Sequence, residues 1–424
     1  MLPVQFIRDE KARVQLSLEK RGYKDPEILD RIIAADDKRK NIQKESDEIK
    51  AELNRLSKEI GLLMKDGKKD AAEAAKTATI ALKNKIEQLD IDSKTIQDEL
   101  QALLLLVPNC LKALVPHGKS AEENEVYKDC PNLPELPADA LPHWELAAKY
   151  KLIDFETGVK ITGAGFPLYT GKGAKLQRAL INFFLDEAEK AGYIENMPPH
   201  VVNAASAMGT GQLPDKEGQM YHCQVDDLYL IPTAEVPLTN IYRDVILDEE
   251  QFPIKITGYT PCFRREAGSY GAHVRGLNRL HQFDKVEIVC IEHPDRSNDR
   301  HVEMVEHVEG LLHKLGLPYR ILRLCGGDTG FASAMTFDFE TFSAAQKRWL
   351  EVSSVSNFDV FQSNRLKLRF KSKDGKGTQL AHTLNGSALA LPRIVATLLE
   401  NNQTAEGIVI PEALRKYTGF DIIS

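Results

Sequence analysis

The sequence predicts an α+β protein in which an N-terminal antiparallel α-helical coiled-coil hairpin precedes a domain built on a mainly antiparallel sheet flanked by helices. Three observations support this prediction: a heptad pattern across residues 28–107, a proline-rich stretch at 108–142, and short strand-like runs mixed with helical segments beyond it. Proline stops helices and removes backbone donors, so the proline-rich stretch is typical of a connection. We therefore expect a hairpin domain at residues 1–108 and a second domain at 109–424, which begins with that connection.

The heptad pattern gives the strongest periodic signal in the chain. Mostly apolar residues recur at alternating steps of four and three across residues 28–63 and again across 72–103, on either side of a break centred on Gly67. Two such arms around a glycine-containing turn predict an antiparallel helical hairpin. Pairing seam residues whose position numbers sum to 138 or 139 places Ser46 opposite Ser93. A hairpin this long either forms a dimerisation coiled coil or contacts a large partner, and the pattern alone leaves both open.

Charge is unevenly distributed along the chain. The formal net charge is −7, yet residues 65–85 hold six lysines against three acidic residues. Such a local excess of positive charge can bind a phosphate backbone, although it is also typical of a solvated helix face. The candidate contacts with a nucleic acid are Lys65, Lys68, Lys69, Lys76 and Lys83.

Composition and spacing disfavour several classes of protein. No apolar run reaches the roughly 20 residues of a membrane span, and the early acidic residues Asp9 and Glu10 argue against a signal peptide. None of the six cysteines forms a Cys-x-x-Cys pair, so we expect neither a zinc site nor a redox site in a cytosolic chain. The glycine-rich fingerprints of Rossmann and P-loop nucleotide sites are also absent from the sequence.

Beyond residue 142 the pattern mixes strands with helices. We predict one helix at residues 174–192, where glycine closes an apolar stripe, and a last helix that begins near Pro392. The strand-like runs lie at residues 228–231, 254–259, 283–291, 338–342, 350–354 and 378–385. Strands dominate the middle and helices flank them, which favours an α+β domain.

Charged residues accompany two of these strands. Arg264 ends one strand and Glu266 lies two residues further on, so period-two alternation would direct both side chains to one face. An arginine fork suits a phosphate and a carboxylate can accept from an adenine amino group, although a cross-strand ion pair is the alternative interpretation. On the next strand Phe283 and Glu287 share a face opposite an apolar one, which is typical of a pocket wall.

The stretch from residue 263 to 287 resembles motif 2 of the class II aminoacyl-tRNA synthetases, in the form found in seryl-tRNA synthetases. The ATP contacts that this resemblance implies are Arg264, Arg265, Glu266, Arg279 and Phe283. In that family's pattern Arg264 holds the α-phosphate and the serine carboxylate, Glu266 accepts from the adenine amino group, and the Phe283 ring stacks on adenine.

Further segments resemble active-site segments of the same family. Together with Arg264, the serine-binding residues that they imply are Thr233, Ala234, Glu235, Glu287, Asn385 and Ser387. The ATP-binding residues that they add are Glu351, Val352, Ser353, Ser354 and Arg393. Glu351 and Ser354 are also implied to hold Mg²⁺ together with ATP.

Arg393 is a candidate anion contact on physical grounds as well. Pro392 suits a helix start, and a cation in the first helical turn is disfavoured by the positive end of the helix dipole. An anion such as the γ-phosphate would offset this cost, and an ion pair with Glu400 is the alternative. The segment resembles motif 3, which implies that Arg393 and Arg264 are the catalytic residues.

The resemblance extends over nearly the whole chain and implies an activity. Enzymes of this family activate serine with ATP to seryl-adenylate and pyrophosphate, then transfer serine to the 3′ end of tRNA-Ser, and to tRNA-Sec where that tRNA is present. The hairpin would bind the long variable arm of the tRNA, which would give its lysines a phosphate partner. Residues 174–202 resemble motif 1, which implies a homodimer, and we expect the protein in the cytoplasm.

Two other functions are compatible with parts of the pattern. A related enzyme that loads an amino acid onto a carrier protein would keep the catalytic motifs but would not need the long hairpin. A non-catalytic paralogue used as a binding module would have lost Arg264, Glu287 or Arg393, and the chain has all three.

Overall fold

The computed structural model describes residues 1–130, 133–137, 139–215, 218–266, 275–375 and 377–424. By its internal contacts the chain divides into two compact units. One unit comprises Leu2–Glu19 and Tyr23–Pro108, and the other comprises Met1, Lys20–Gly22 and Asn109–Ser424. No helix in these described ranges is long and apolar enough to cross a membrane.

The helices and strands have the following bounds. The α-helices are α1 (Val4–Asp9), α2 (Lys11–Lys20), α3 (Ile28–Lys65), α4 (Lys69–Leu106), α5 (His143–Lys149), α6 (Phe155–Ile161), α7 (Gly171–Lys190), α8 (Ala204–Thr210), α9 (Glu235–Asn240), α10 (Ser297–Leu315), α11 (Phe361–Leu366), α12 (Leu391–Asn401) and α13 (Glu412–Thr418). The β-strands are β1 (Glu125–Lys128), β2 (Ile153–Asp154), β3 (Leu168–Tyr169), β4 (Ile194–Glu195), β5 (Val201–Asn203), β6 (His222–Cys223), β7 (Leu228–Leu230), β8 (Ile246–Asp248), β9 (Ile254–Phe263), β10 (Gln282–Glu292), β11 (Tyr319–Arg323), β12 (Met335–Ser343), β13 (Arg348–Asn357), β14 (Arg369–Lys371), β15 (Thr378–Leu380), β16 (His382–Ala390), β17 (Ile408–Val409) and β18 (Ile422–Ile423).

The smaller unit is dominated by α3 and α4, which are 38 residues long each. They pack along one another as the predicted hairpin, with a turn at Gly67, whose φ of 72° suits glycine. Every predicted seam residue is buried or half-buried, and every other residue from 37 to 100 is exposed. The heptad pattern therefore predicted correctly which face of each helix is covered.

The predicted pairing register inside the hairpin is wrong. Two ion pairs join the arms, Glu45 with Lys85 and Lys50 with Asp90, and their position numbers sum to 130 and 140. In an antiparallel hairpin the two ion pairs lie on opposite sides of the seam. The position numbers of facing seam residues therefore lie midway between these values and sum to about 135, not 138 or 139. The hydroxyl of Ser46, expected to face a second serine, is buried and has no hydrogen-bond partner among the described residues. A repeating seam can be satisfied at several offsets, and the sequence pattern could not choose between them.

The larger unit is built on an eight-stranded sheet in the order β1-β11-β12-β13-β16-β10-β9-β4. Neighbouring strands pair antiparallel except β4 with β9, which confirms the mainly antiparallel sheet. The smaller sheets are β15-β14-β8, β5-β7-β6, β17-β18 and β2-β3. Helices α7, α10 and α12 contribute their apolar faces to the core beside the large sheet.

Most predicted elements differ from the observed ones only at their ends. The exception is the run at residues 378–385, predicted as one strand, which the structure divides between β15 in a small sheet and β16 in the large one. The chain changes sheets at Ala381, whose side chain is buried with Leu366 and Phe370. Residues 378–385 contain neither glycine nor proline, so no turn signal marks the change between sheets.

Candidate active site

Strand β10 separates the core from a cavity. Its Val286, Ile288 and Cys290 side chains are fully buried in the hydrophobic core, as their alternation predicted. Phe283 and Glu287 lie on the other face and line a cavity of about 380 Å³. The predicted site residues that line it are Thr233, Glu235, Arg264, Glu266, Arg279, Phe283, Glu287, Glu351, Val352, Ser353, Ser354, Asn385, Ser387 and Arg393. Segments far apart in the sequence therefore meet at one place.

Two residues of the predicted set lie outside the cavity wall. Ala234 is fully buried, and the Arg265 guanidinium packs over the ring of Tyr221 at 5.6 Å from its centroid. A second cavity of about 790 Å³ adjoins the first and shares Glu266, Arg279 and Leu280 with it. The adjoining cavity contains none of the predicted serine-binding residues, so the smaller one is the candidate active site.

One end of the cavity gathers donors around Glu287. The Lys285 Nζ atom lies 2.6 Å from Glu287 Oε2, and both residues are at most 5% exposed. The Thr233 hydroxyl donates to the same oxygen at 3.3 Å, and the Ser387 hydroxyl donates to it at 3.5 Å. A carboxylate and two hydroxyls so arranged can exchange hydrogen bonds with a small hydroxylated molecule.

Glu235 is a second carboxylate at this end. Its Oε1 atom accepts a hydrogen bond from Gln362 Nε2 at 2.6 Å. Burial, and secondly the negative charge of Glu287, raise the pKa of Glu235 to about 7, against the smaller opposing effects of Gln362, Lys285 and Asn385. This end of the cavity thus holds two carboxylates and one lysine, so one further cation would balance its charge.

Strand β9 ends one residue before Arg264, which was predicted to end the strand, and does not extend to Glu266. Strand β9 stops at Phe263, and Glu266 adopts a φ of 48°, so period-two alternation does not explain why Arg264 and Glu266 both line the cavity. Glu266 instead forms an ion pair with Arg279, and neither residue lies in a strand, so this is not the cross-strand pair considered as the alternative. Residues 267–274, the glycine-containing loop, lie outside the described residues.

Arg264 and Phe283 form a stacked pair beside the two carboxylates. The Arg264 guanidinium lies 5.2 Å from the centroid of the Phe283 ring, and its Nε atom donates to the carbonyl of Pro232 at 3.4 Å. Both contacts leave the remaining guanidinium donors for a bound anion. An aromatic ring next to an arginine fork can accommodate a planar base attached to a phosphate.

Arg393 lies in the first turn of α12 and lines the same cavity. Its Nε atom donates to the carbonyl of Asn278 at 3.0 Å, and its Nη1 atom donates to the carbonyl of Glu351 at 2.7 Å. The alternative pairing with Glu400 is wrong, because Glu400 binds His143 and Ser343 instead. The Glu351 carboxylate is 4.0 Å away, so Arg393 retains capacity to bind an anion in the cavity.

The oxygen atoms near Arg393 suit a hard divalent cation. Glu351 and Ser354 line the cavity on β13, and Asp338 on the neighbouring strand is paired with Ser354 in register. Burial, and secondly the charge of Glu351, raise the pKa of Asp338, while a hydrogen bond from Ser354 opposes the rise. Asp338 Oδ1 is buried without a partner in the described part of the chain. Carboxylate and hydroxyl oxygens are donors that Mg²⁺ accepts, so the residues fit the expected ion.

Comparison with known proteins identifies the family. The sequence model described as "Seryl-tRNA synthetase N-terminal domain" matches residues 1–111, and that described as "tRNA synthetase class II core domain (G, H, P, S and T)" matches residues 221–402. A serine–tRNA ligase of Salinibacter ruber is 48% identical over 421 residues, which cover 99% of this chain and 98% of the relative. The chain belongs to the seryl-tRNA synthetase family. A serine–tRNA ligase of Chlorobaculum parvum is 45% identical, with both chains covered completely.

Solved structures of this family share the fold over its full length. The crystal structure of seryl-tRNA synthetase from Pyrococcus horikoshii complexed with ATP matches with a TM-score of 0.93 at 30% identity, covering 100% of this chain and 99% of the other. Cytoplasmic serine–tRNA ligase from Naegleria fowleri in complex with AMP matches with a TM-score of 0.88 at 24% identity, over the same shares of each chain. The second likeness concerns the fold alone.

The candidate active site also includes residues that the sequence patterns did not indicate. Lys285, Asn278 and Ser356 all line it. Lys285 could have been found, because it lies between Phe283 and Glu287 on the same face of β10 by period-two alternation. The sequence carried no comparable signal for Asn278, which reaches the cavity from an irregular segment.

Proposed function

We propose that this chain is a serine–tRNA ligase, which activates L-serine with ATP and transfers it to tRNA-Ser. The observation that carries the proposal is the convergence of Lys285, Thr233 and Ser387 on one oxygen of Glu287, beside Arg264. A small hydroxylated amino acid satisfies such a group of donors and acceptors, whereas an apolar one leaves them unpaired. The family and the named activity of its members support the same reaction.

The amino acid would bind with its hydroxyl and its ammonium group at different carboxylates. We assign its hydroxyl to Glu287, together with Thr233 and Ser387. Glu287 already has Lys285 as a counter-ion, so the unpaired carboxylate of Glu235 is the better partner for the ammonium group. Asn385 and the backbone of Ala234 would complete this end of the site.

The nucleotide would occupy the other end. We propose that Phe283 stacks on adenine, that Glu266 accepts from its amino group and that Arg279 contacts the nucleotide from the same side. Val352 and Ser353 would line the ribose and phosphate path on β13. The Arg265 guanidinium packs on the ring of Tyr221, so a contact with ATP would require this side chain to change its rotamer.

Activation needs positioning more than proton transfer. The serine carboxylate attacks the α-phosphorus of ATP, the bond to the β-phosphate breaks, and pyrophosphate leaves. Arg264 can hold both the attacking carboxylate and the α-phosphate, and Arg393 can stabilise the charge that develops on the departing phosphates. Glu351 and Ser354 would hold Mg²⁺, which neutralises phosphate charge when it is bound with ATP.

The second step would transfer serine to the terminal ribose of the tRNA, with release of AMP. We propose that the hairpin binds the long variable arm of tRNA-Ser, and of tRNA-Sec where that tRNA exists. The proposed contacts are Lys65, Lys68, Lys69, Lys76 and Lys83, all of which are exposed. They lie near the turn of the hairpin, where a local positive charge can meet a phosphate backbone.

The remaining parts of the proposal concern organisation. We propose a tRNA-binding domain at residues 1–108 and a catalytic domain at 109–424, and a cytoplasmic homodimer. The exposed apolar residues Ile194, Met197 and Val201 follow α7, in the segment that resembles motif 1, and support a second copy as the partner there.

One pair of assays tests the proposed function against its rivals. We expect serine-dependent exchange of pyrophosphate into ATP, followed by charging of tRNA-Ser. An enzyme that loads a carrier protein would exchange pyrophosphate without charging tRNA, and a non-catalytic paralogue would do neither. Alanine and threonine in place of serine provide matched controls for the amino acid.

A further inference from the structure

A buried polar network lies behind the nucleotide end of the cavity. His143 at the start of α5 and Glu400 near the end of α12 are both 0% exposed, and His143 Nδ1 lies 2.7 Å from Glu400 Oε1. The backbone N–H of His143 donates to the same carboxylate oxygen at 3.0 Å. Because the carboxylate partner is the acceptor, we assign the imidazole proton to Nδ1.

This tautomer leaves His143 Nε2 free to accept a hydrogen bond. The backbone N–H of Leu277 donates to it at 2.9 Å. The preceding Gly276 has a φ of 67°, and a Cβ atom there would come within 2.3 Å of His143 Nε2. Glycine is therefore required for the backbone to approach the imidazole so closely. The segment held in this way leads directly to Arg279 of the candidate active site.

A second connection joins the same carboxylate to the same segment. Gln346, in the turn between β12 and β13, donates from Nε2 to Glu400 Oε1 at 2.9 Å and accepts from Asn278 Nδ2 at 3.0 Å. The Ser343 hydroxyl donates to Glu400 Oε2. The carbonyl of Asn278 in turn accepts from Arg393 Nε at 3.0 Å. The network thus ends on an arginine that lines the cavity.

We propose that His143 and Glu400 are positioning residues for the nucleotide end of the active site. They fix the backbone of Leu277 and Asn278, and through it the guanidinium of Arg393 and the approach of Arg279. Neither His143 nor Glu400 lines the cavity, so their effect on the reaction is indirect. The inference rests on the proposed function, because it assigns these residues to the binding of ATP during serine activation.

A purely structural role predicts a different result from a positioning role. A network that only stabilises the fold would change the thermal stability and leave the ATP parameters of the folded enzyme unaltered. A network that positions Arg393 and Arg279 must change the KM for ATP and kcat, because small displacements of charged contacts are costly for catalysis. The KM for serine should stay the same, since the serine end has its own hydrogen bonds.

Two substitutions at one residue separate the two hydrogen bonds of the imidazole. In His143→Asn the amide nitrogen takes the position of Nδ1 and can donate to Glu400, but nothing replaces Nε2. In His143→Gln the side-chain amide reaches the position of Nε2 and its oxygen can accept from Leu277. The comparison of the two variants therefore tests the bond to Leu277 itself.

We expect His143→Asn to raise the KM for ATP and the Kd for ATP by about tenfold or more, and to lower kcat for pyrophosphate exchange, with the KM for serine unchanged. His143→Gln should stay within about threefold of the unaltered protein, because it restores an acceptor for Leu277. The measurements are exchange kinetics and calorimetric ATP binding on the full chain, well below each variant's Tm.

Three results would overturn the inference. Equal ATP parameters in both variants and the unaltered protein, with only the Tm lowered, would leave the network a structural role. A rise in the KM for serine as large as that for ATP would exclude a specific effect on the nucleotide end. If His143→Asn does not fold, Gln346→Ala, which removes the half-buried link between Glu400 and Asn278, must raise the KM for ATP, and an unchanged value would also overturn the inference. An unaltered protein that binds ATP but lacks serine-dependent exchange would overturn the proposed function, and this inference would fall with it.

Discussion

Lys285 Nζ lies 2.6 Å from Glu287 Oε2 at the end of the cavity that we propose binds serine, and both side chains are almost completely buried. Burying a lone carboxylate is costly, and the lysine offsets this cost by supplying an opposite charge. The ion pair with Lys285 therefore favours the ionised form of Glu287, which can accept a hydrogen bond without a cation from the substrate. Thr233 and Ser387 donate to the same oxygen, so this acceptor has a fixed orientation.

The first prediction concerns the choice between serine and alanine. If Glu287 accepts from the serine hydroxyl, alanine leaves buried polar groups unpaired, and a site of this kind can reject such an analogue by roughly 10⁴-fold. Glu287→Ala should lower kcat/KM for serine far more than for alanine, so that the ratio between them shrinks by at least about tenfold. The measurement is pyrophosphate exchange with both amino acids on both proteins.

Glu287→Gln is the matched control for this prediction, because it keeps the shape of the side chain and a neutral acceptor. We expect its serine-to-alanine ratio to lie between those of the unaltered protein and Glu287→Ala. An unchanged ratio in both variants would show that Glu287 does not contact the hydroxyl. Glu287 would then be a structural partner of Lys285.

The second prediction compares two adjacent arginines. Arg264 lines the cavity and stacks on Phe283, whereas Arg265 packs outside it on Tyr221. Arg264→Ala should reduce the rate of exchange on the order of a hundredfold or more, because a preorganised charge contact is lost. Arg265→Ala should change it by less than about fivefold. Similar losses in both folded variants would contradict the role given to Arg264.

The sequence predicted the cavity better than it predicted the contacts inside it. Alternation on β10 placed Glu287 correctly, and the same rule would have found Lys285. It could not find the partner of Glu400, because His143 is 257 positions away and only the folded chain brings the two together. It also failed at Glu266, where a positive φ replaces the extended backbone on which the alternation argument depends.

The hairpin shows the same difference between local and non-local prediction. The heptad pattern selects the covered face of each helix, because that choice depends on residues three and four positions apart. The register depends on which of several equivalent offsets the turn and the flanking charges favour. The ion pair between Glu45 and Lys85 is compatible with the observed register, and the sequence offered no reason to prefer that pair.

The third prediction follows from the pKa of Glu235, which is raised to about 7. A carboxyl whose pKa is higher in the folded protein stabilises the fold fully at low pH and loses this contribution as the pH rises to 7. Glu235→Gln removes the ionisation, so its Tm relative to the unaltered protein should increase between pH 5 and pH 8. The corresponding change in the free energy of unfolding is up to about 3 kcal/mol.

Thermal unfolding at the two pH values measures this effect directly. The exposed residue Glu406 offers a matched control, and Glu406→Gln should show the same Tm difference at both pH values. If Glu235→Gln and Glu406→Gln respond alike, the Glu235 carboxyl does not retain its proton in the folded protein. The raised pKa supports the proposal that Glu235 lacks a counter-ion and binds the serine ammonium group, and the proposal would then lose this support.

The last prediction tests whether the hairpin is a separate tRNA-binding arm. Removing residues 40–95 and joining the helices by a short turn leaves Arg39 opposite Ile96, which keeps the observed register. The candidate active site contains no residue of the deleted segment, so serine-dependent exchange should stay within about threefold. Charging of tRNA-Ser should fall by about a hundredfold or more, because the proposed phosphate contacts are lost together.

Substitution of the lysines alone makes the test more specific. In the test variant Lys65, Lys68, Lys69, Lys76 and Lys83 are changed to Gln. The KM for tRNA should rise, and its dependence on salt should weaken, because fewer counterions are released when fewer lysines contact phosphates. A control with the exposed Lys38, Lys44 and Lys94 changed to Gln should retain most of the salt dependence.

If exchange is lost in the shortened protein while its larger unit remains folded, the hairpin takes part in catalysis itself. If charging survives in both the shortened and the substituted proteins, the tRNA binds elsewhere, and a hairpin that only joins two copies of the chain becomes the better explanation.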